Sequence, residues 1–134
     1  MIENQRADSL YVMTCPDYNM YVPNTADMEN MIYPQEAVDN IKGIAKICNK
    51  LNVKCVVLTG FNPDLCNQTP NKKYPSRYKE FQRLLLTQYM EGAIVVDTRV
   101  VDKRDCWDDL CHMAPSGHKK IAEKIIKDLN FKKI

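Results

Sequence analysis

Two residues near the end of the chain have the types and spacing that acid–base chemistry needs. They are Asp109 and His112, in the run Asp109-Leu110-Cys111-His112-Met113-Ala114-Pro115-Ser116-Gly117-His118. A carboxylate and an imidazole three residues apart on a loop can bond without help from the rest of a fold. The carboxylate accepts the Nδ1 proton, fixes the tautomer and leaves Nε2 as a base, which is the acid–base half of a nucleophilic triad. An Asp-x-x-His run by itself also suits a plain surface loop, here with Ser116 capping the helix that follows. His118, at the start of that helix, reads as structural. Cys106, Cys111, His112 and His118 make the pattern Cys-x4-Cys-His-x5-His. That is not a zinc spacing, so no metal is expected.

The longer run Asp109-x-x-His112-x-x-x-x-Gly117-His118-x-x-Ile121-Ala122 resembles the last block of the SGNH (GDSL-type) serine hydrolases, a family of esterases and acyl hydrolases. The resemblance implies that Asp109 and His112 are catalytic and that Gly117-His118 opens the C-terminal helix. It also implies ester or acyl-ester hydrolysis without a metal or organic cofactor.

The elements that must position such a pair are readable from patterning. The chain has 134 residues, 45% of them hydrophobic and 27% charged, with a net charge of +2. This describes one globular domain, residues 1–134, with a core of ordinary size. The charge is too small to suggest nucleic acid. The lysines between Lys119 and Lys133 read as a solvated helix face. No apolar run has the length of a membrane span, and Met1-Ile2-Glu3-Asn4-Gln5-Arg6 has no signal-peptide character, so cytoplasmic residence is expected.

Ser9 to Cys15 is a short apolar run rich in β-formers and is predicted as a buried parallel strand, stopped by Pro16. A helix is predicted from Pro34 to Lys50, with Val38, Ile41, Ile44, Ala45, Cys48 and Leu51 at the helical period and Asn52 closing it. Val53–Thr59 is the second strand, ended by Gly60, and a long loop follows over 60–75. The second helix is predicted over 76–91, burying Tyr78, Phe81, Leu84, Leu85 and Tyr89. Ala93–Asp97 is the third strand. The last helix is expected to bury Ile121, Ala122, Ile125 and Leu129. Cys48 and Cys55 fall at apolar positions and read as small buried hydrophobes.

The order β-α-β-α-β-α predicts an α/β fold, a short parallel sheet of about three strands flanked by helices in three layers, with functional loops at the strands' C-terminal ends. The resemblance implies a flavodoxin-like SGNH arrangement. In it, Asp17-Tyr18-Asn19-Met20 resembles the family's asparagine block, so Asn19 is implied as an oxyanion donor. Asp17 and Met20 depart from that block's glycine and aspartate. The chain then corresponds to the C-terminal part of the family's fold, without its first two strands and its Gly-Asp-Ser block.

Ala7-Asp8-Ser9-Leu10 imitates that missing block, but Ser9 begins its strand, whereas a nucleophile should follow one. A strand of about six residues spans roughly 20 Å, which separates Ser9 from His112. Three readings stay open. The chain is the C-terminal portion of a serine hydrolase, inactive or weakly active alone; or it is a thiol hydrolase with Cys15 as nucleophile to His112 and Asp109; or it is a non-catalytic α/β interaction module. Tyr18, Tyr21, Phe61, Asn62 and Trp107 are candidate pocket walls for a small ester, such as an acylated carbohydrate or lipid. Without two family strands, Leu10–Met13 becomes an apolar sheet edge that should dimerise, pair with a partner chain or be covered by residues 20–33.

Overall fold

The alternation of side chains along a central strand organises the molecule. The computed structural model describes residues 8–13, 33–60, 74–107 and 112–130. In order they form β1 (Ser9–Met13), α1 (Pro34–Lys50), β2 (Lys54–Leu58), α2 (Tyr74–Thr87), β3 (Ala93–Val96), a 3-10 turn (Lys103–Asp105) and α3 (Pro115–Leu129). The strands lie in the order β1-β2-β3 and both pairings are parallel. Tyr11, Val56 and Ile94 share one rung, and Val12, Val57 and Val95 the next.

Successive residues of a strand point to opposite faces, so β2 feeds two cores. Cys55 and Val57 join Val38, Ile41, Ala45 and Cys48 of α1 and Tyr78, Phe81, Leu84 and Leu85 of α2. Val56 and Leu58 join Val96, Val101 and Ile121 on the other face, under α3. The result is the expected three-layer α/β arrangement. Cys48 and Cys55 are buried among apolar neighbours, and burial, with Cys48 beside it, pushes the Cys55 thiol up to about 11.

Local signals set most of the boundaries. Pro34 opens α1 as its first helical residue, where its missing N–H costs nothing. Asn52, at φ 56, takes the left-handed turn into β2. Gly92, at φ 78, turns the chain into β3 against α1, where a Cβ would sit 3.0 Å from Asn49 Cβ and 3.3 Å from the Ala45 carbonyl.

Several expectations need correction. β1 is parallel but not buried, with Leu10 40% and Tyr11 42% exposed; among the described residues it has β2 on one side only. Ile44 of α1 and Leu51 just past its end are exposed, together with Ile47. Gln35 and Lys42 on one flank of α1 reach Gln88 beyond the end of α2, and these three apolar residues occupy the opposite flank. The second helix runs earlier than expected and ends at Thr87. Tyr89 therefore leaves the helical face and is 85% exposed, while Met90 is buried in its place. In α3, Ile121 is buried and Ile125 and Leu129 are half-buried, but Ala122 faces solvent. No helix among the described residues is long and apolar enough to cross a membrane.

Candidate active site

Because the strands are parallel, the chain leaves β1, β2 and β3 from one edge of the sheet. Met13, Leu58 and Val96 share the last rung there. Just beyond it, Thr59 and Thr98, both fully buried, tie the ends of β2 and β3 together. The Thr98 N–H donates to Thr59 Oγ1 at 2.9 Å, and Thr98 Oγ1 both accepts from the Gly60 N–H and donates to the Gly60 carbonyl at 2.9 Å. Tyr78 Oη and Gln82 Nε2 donate to the Thr59 carbonyl at 3.3 and 3.0 Å. These bonds fix this edge. Asp97 accepts from Thr59 Oγ1, and the Arg99 guanidinium on its carboxylate holds that carboxyl below its usual range.

The segment from β3 to α3 is built around Asp105. Asp102 caps the 3-10 turn: its Oδ1 accepts from the Arg104 N–H at 2.9 Å, and its own N–H donates to Asp105 Oδ2 at 3.1 Å. Asp105 is only 3% exposed. Its Oδ2 also accepts from Lys120 Nζ at 2.6 Å, and Ser116 bonds the same carboxylate. Lys120 first, then the Asp102 N–H, and then Ser116 hold this carboxyl below its usual range. Asp102 is lowered to about 2, chiefly by its bonds from Arg104.

The peptide carbonyl of Asp105 accepts from the Ala114 N–H at 2.8 Å. Next to it, Cys106 and Met113 form an antiparallel bridge, and the Trp107 N–H donates to the His112 carbonyl at 2.9 Å. Residues 107 and 112 thus face each other across the mouth of a short loop. Cys106 and Met113 pack against the cluster that holds Leu58 and Val96, the last residues of their strands.

His112 follows this closure with an exposed ring, and Trp107 stands opposite it with an exposed indole. Asp109, Asn19, Cys15, Tyr18, Tyr21, Phe61 and Asn62 lie outside the described residues. Ser9 is the first residue of β1, in register with Lys54 at the start of β2, so it sits at the edge opposite the one from which the chain leaves the strands. His118 is exposed in the first turn of α3. Ser116 does not cap α3: the N-cap position is Ala114, and the Ser116 side chain is spent on Asp105.

Sequence reasoning missed Asp102, Asp105 and Lys120. An available signal was the Asp102-x-x-Asp105 spacing, an acidic version of the capping box that opens a helical turn. Gly117 belongs to the helix-opening pattern, and the physical reason for it is contact. A Cβ there would come within 2.6 Å of the Asp105 carbonyl oxygen and 3.2 Å of Met113 Cβ.

Among solved structures, the chain is similar to a single-site variant of an acetyl-xylooligosaccharide esterase from Geobacillus Stearmophilus. The TM-score is 0.63 at 14% identity, and the match covers 95% of this chain and 61% of the esterase. No protein-family model and no curated protein matches the chain. This chain therefore spans less than two thirds of that esterase's length, and at such low identity the likeness concerns the fold alone. The α/β arrangement expected from the SGNH resemblance is the one observed, and it is shared with an esterase.

Proposed function

We propose that the chain is the C-terminal portion of an SGNH-type hydrolase domain whose chemistry is ester or acyl-ester hydrolysis. The observation that carries this reading is the Trp107–His112 closure, held against the functional edge of a sheet whose fold is shared with an esterase. In the proposed mechanism, His112 Nε2 takes the proton from a nucleophile and later passes it to the leaving alcohol. Asp109 orients the ring and steadies the imidazolium, and Asn19 donates to the oxyanion. Trp107, Tyr18 and Asn62 are the side chains proposed to contact the substrate. The similar esterase acts on an acetylated oligosaccharide, which makes a small acetyl ester of a carbohydrate the first substrate class to try.

The nucleophilic serine comes from a segment outside these residues, or Cys15 replaces it. Hydrolysis of a nitrophenyl acetate ester by the purified chain tests the reading. His112→Ala should abolish the activity; activity that survives this change rules the mechanism out. Loss with Cys15→Ser assigns the nucleophile to the thiol, and loss with Ser9→Ala contradicts the strand placement.

A second reading, a non-catalytic module that pairs with another chain, draws on the exposed Leu10 and Tyr11 at the β1 edge. Edge strands of this kind add a partner strand or a second copy. Sedimentation of the parent and of Tyr11→Lys checks it: a complex that Tyr11→Lys dissolves supports pairing, and a monomer at all concentrations rejects it.

A further inference from the structure

We infer that Asp105 is the positioning residue for His112, gripping both stems of the 107–112 loop at once. Its bearing on catalysis rests on the hydrolase reading above; its geometry does not. On the incoming side, Asp105 ends the 3-10 turn and leads directly into Cys106 and Trp107, whose backbones pair with Met113 and His112. On the outgoing side, its carbonyl holds the Ala114 N–H, and its carboxylate holds Lys120 Nζ and Ser116 from α3.

The alternatives are weaker. The apolar part of the stem, Cys106 and Met113, is only half-buried, and apolar contact is non-directional. Hydrogen bonds to an ionised carboxylate are short and directional and are about twice as strong as neutral ones. Gly117 completes the arrangement by letting the first turn of α3 close onto the Asp105 carbonyl, where any side chain would intrude. Asp105 touches no reacting atom in this scheme. It sets where the His112 backbone lies, and through that where the imidazole starts.

Amide hydrogen exchange of the full chain tests this directly, with the Trp107 N–H as the reporter. In Asp105→Asn, Trp107 should exchange about tenfold faster or more, while the Val57 amide in β2 keeps its parent rate. Lys120→Met should move Trp107 in the same direction by less, and Lys124→Met, on the same helix but bonded to Asp128, should leave it unchanged. Should Asp105→Asn fail to fold, Lys120→Met decides, because it leaves the carboxylate its Asp102 and Ser116 bonds. Parent-like exchange at Trp107 in the folded variants overturns the inference. So does equal acceleration at Trp107 and Val57, which would make Asp105 a general stabiliser.

Kinetics supply the second readout. With an active parent, Asp105→Asn should lower kcat and leave KM in place, and an unchanged kcat alongside faster Trp107 exchange also overturns the role. A parent without esterase activity rules out Cys15 as a self-sufficient nucleophile and leaves the exchange result alone to decide on Asp105.

Discussion

On the face of the sheet covered by α1 and α2, the cluster of buried residues runs from Val38 to Met90 and includes Tyr78, Phe81 and Leu85. On the face covered by α3, the cluster among the described residues is Val56, Leu58, Val96, Val101 and Ile121, flanked by half-buried Cys106, Met113, Ile125 and Leu129. The first face holds large side chains in a closed core. The second holds few, and adds the Asp102–Asp105–Lys120 bonds and the Gly117 contact. Burial is roughly proportional to area and indifferent to direction, so it suits stability. Charged hydrogen bonds and close backbone contact fix direction, which a loop carrying a base requires. Among the described residues, the first face carries the larger apolar core and the second the directed contacts.

The largest test of that division is a pair of truncations. Phe81→Ala should destabilise by about 4 kcal/mol, in the range for a buried aromatic. Ile121→Ala should cost about 2 kcal/mol, at the low end for its type, because half-exposed neighbours can close over the gap. Urea midpoints at constant m-value read both. Equal costs would show that the α3 face is as much a core as the other.

Gly117→Ala comes next, at about 2 kcal/mol destabilising, the range for forcing atoms into a filled space. The clash is with backbone, the Asp105 carbonyl oxygen at 2.6 Å, so it cannot be relieved by rotating a side chain. The ester hydrolysis proposed for His112 should fall with it. A variant as stable and as active as the parent would remove Gly117 from the account of placement.

The element order was legible because its signals are local. Pro34, Asn52 and Gly92 punctuate the chain through their own backbone preferences, and Cys48 and Cys55 fall on periodic apolar positions. The width of each buried stripe was not legible. Helical period puts Ile44 and Leu51 near Ala45 and Cys48, but whether that flank is covered depends on the neighbouring layer. Tyr89 was misplaced because the helix stops at Thr87, two residues short of it. At the candidate site, His112 was proposed from the short-range Asp-x-x-His pattern together with the family resemblance. The Asp105–Lys120 pair was invisible to the same reasoning, because the two lie fifteen residues apart and only the fold brings them together. Asp109, Asn19 and Cys15, also proposed from sequence, lie outside the described residues.

Acid should loosen the α3 face first. Asp102, lowered from 3.8 to about 2, and Asp97 and Asp105, lowered from 3.8, all lie between β3 and α3. A carboxyl with a folded-state pKa below its unfolded value binds fewer protons when folded, so its contribution is whole above the unfolded value. That contribution is lost as the pH falls through the folded-state value, which for Asp102 means from about 4 through about 2. On the other face, the carboxyl lowered by a partner among the described residues is Glu80, on the exposed surface of α2 with Arg83. Trp107 exchange, corrected for the intrinsic effect of pH, should therefore rise on acidification before that of Val57, and added salt should bring the two closer. Loss of protection at both amides together would mean that the two faces melt as one.

The smallest effect, and the one with opposite sign, is at Gly43. In the interior of a helix, Ala is favoured over Gly by about 1 kcal/mol, because Gly leaves more backbone freedom to be lost on folding. Gly43 lies within α1, exposed, and a methyl group added there would meet nothing within 4 Å. Gly43→Ala should therefore stabilise by about 0.5–1 kcal/mol and leave ester hydrolysis and Trp107 exchange untouched. Gly117 is also helical and would gain the same backbone term, so its expected loss is net of that gain. The two substitutions are chemically identical, and the difference between them isolates the contact with Asp105. Should Gly117→Ala stabilise as Gly43→Ala does, the close approach would carry no energy, and α3 would be held by its apolar stripe alone.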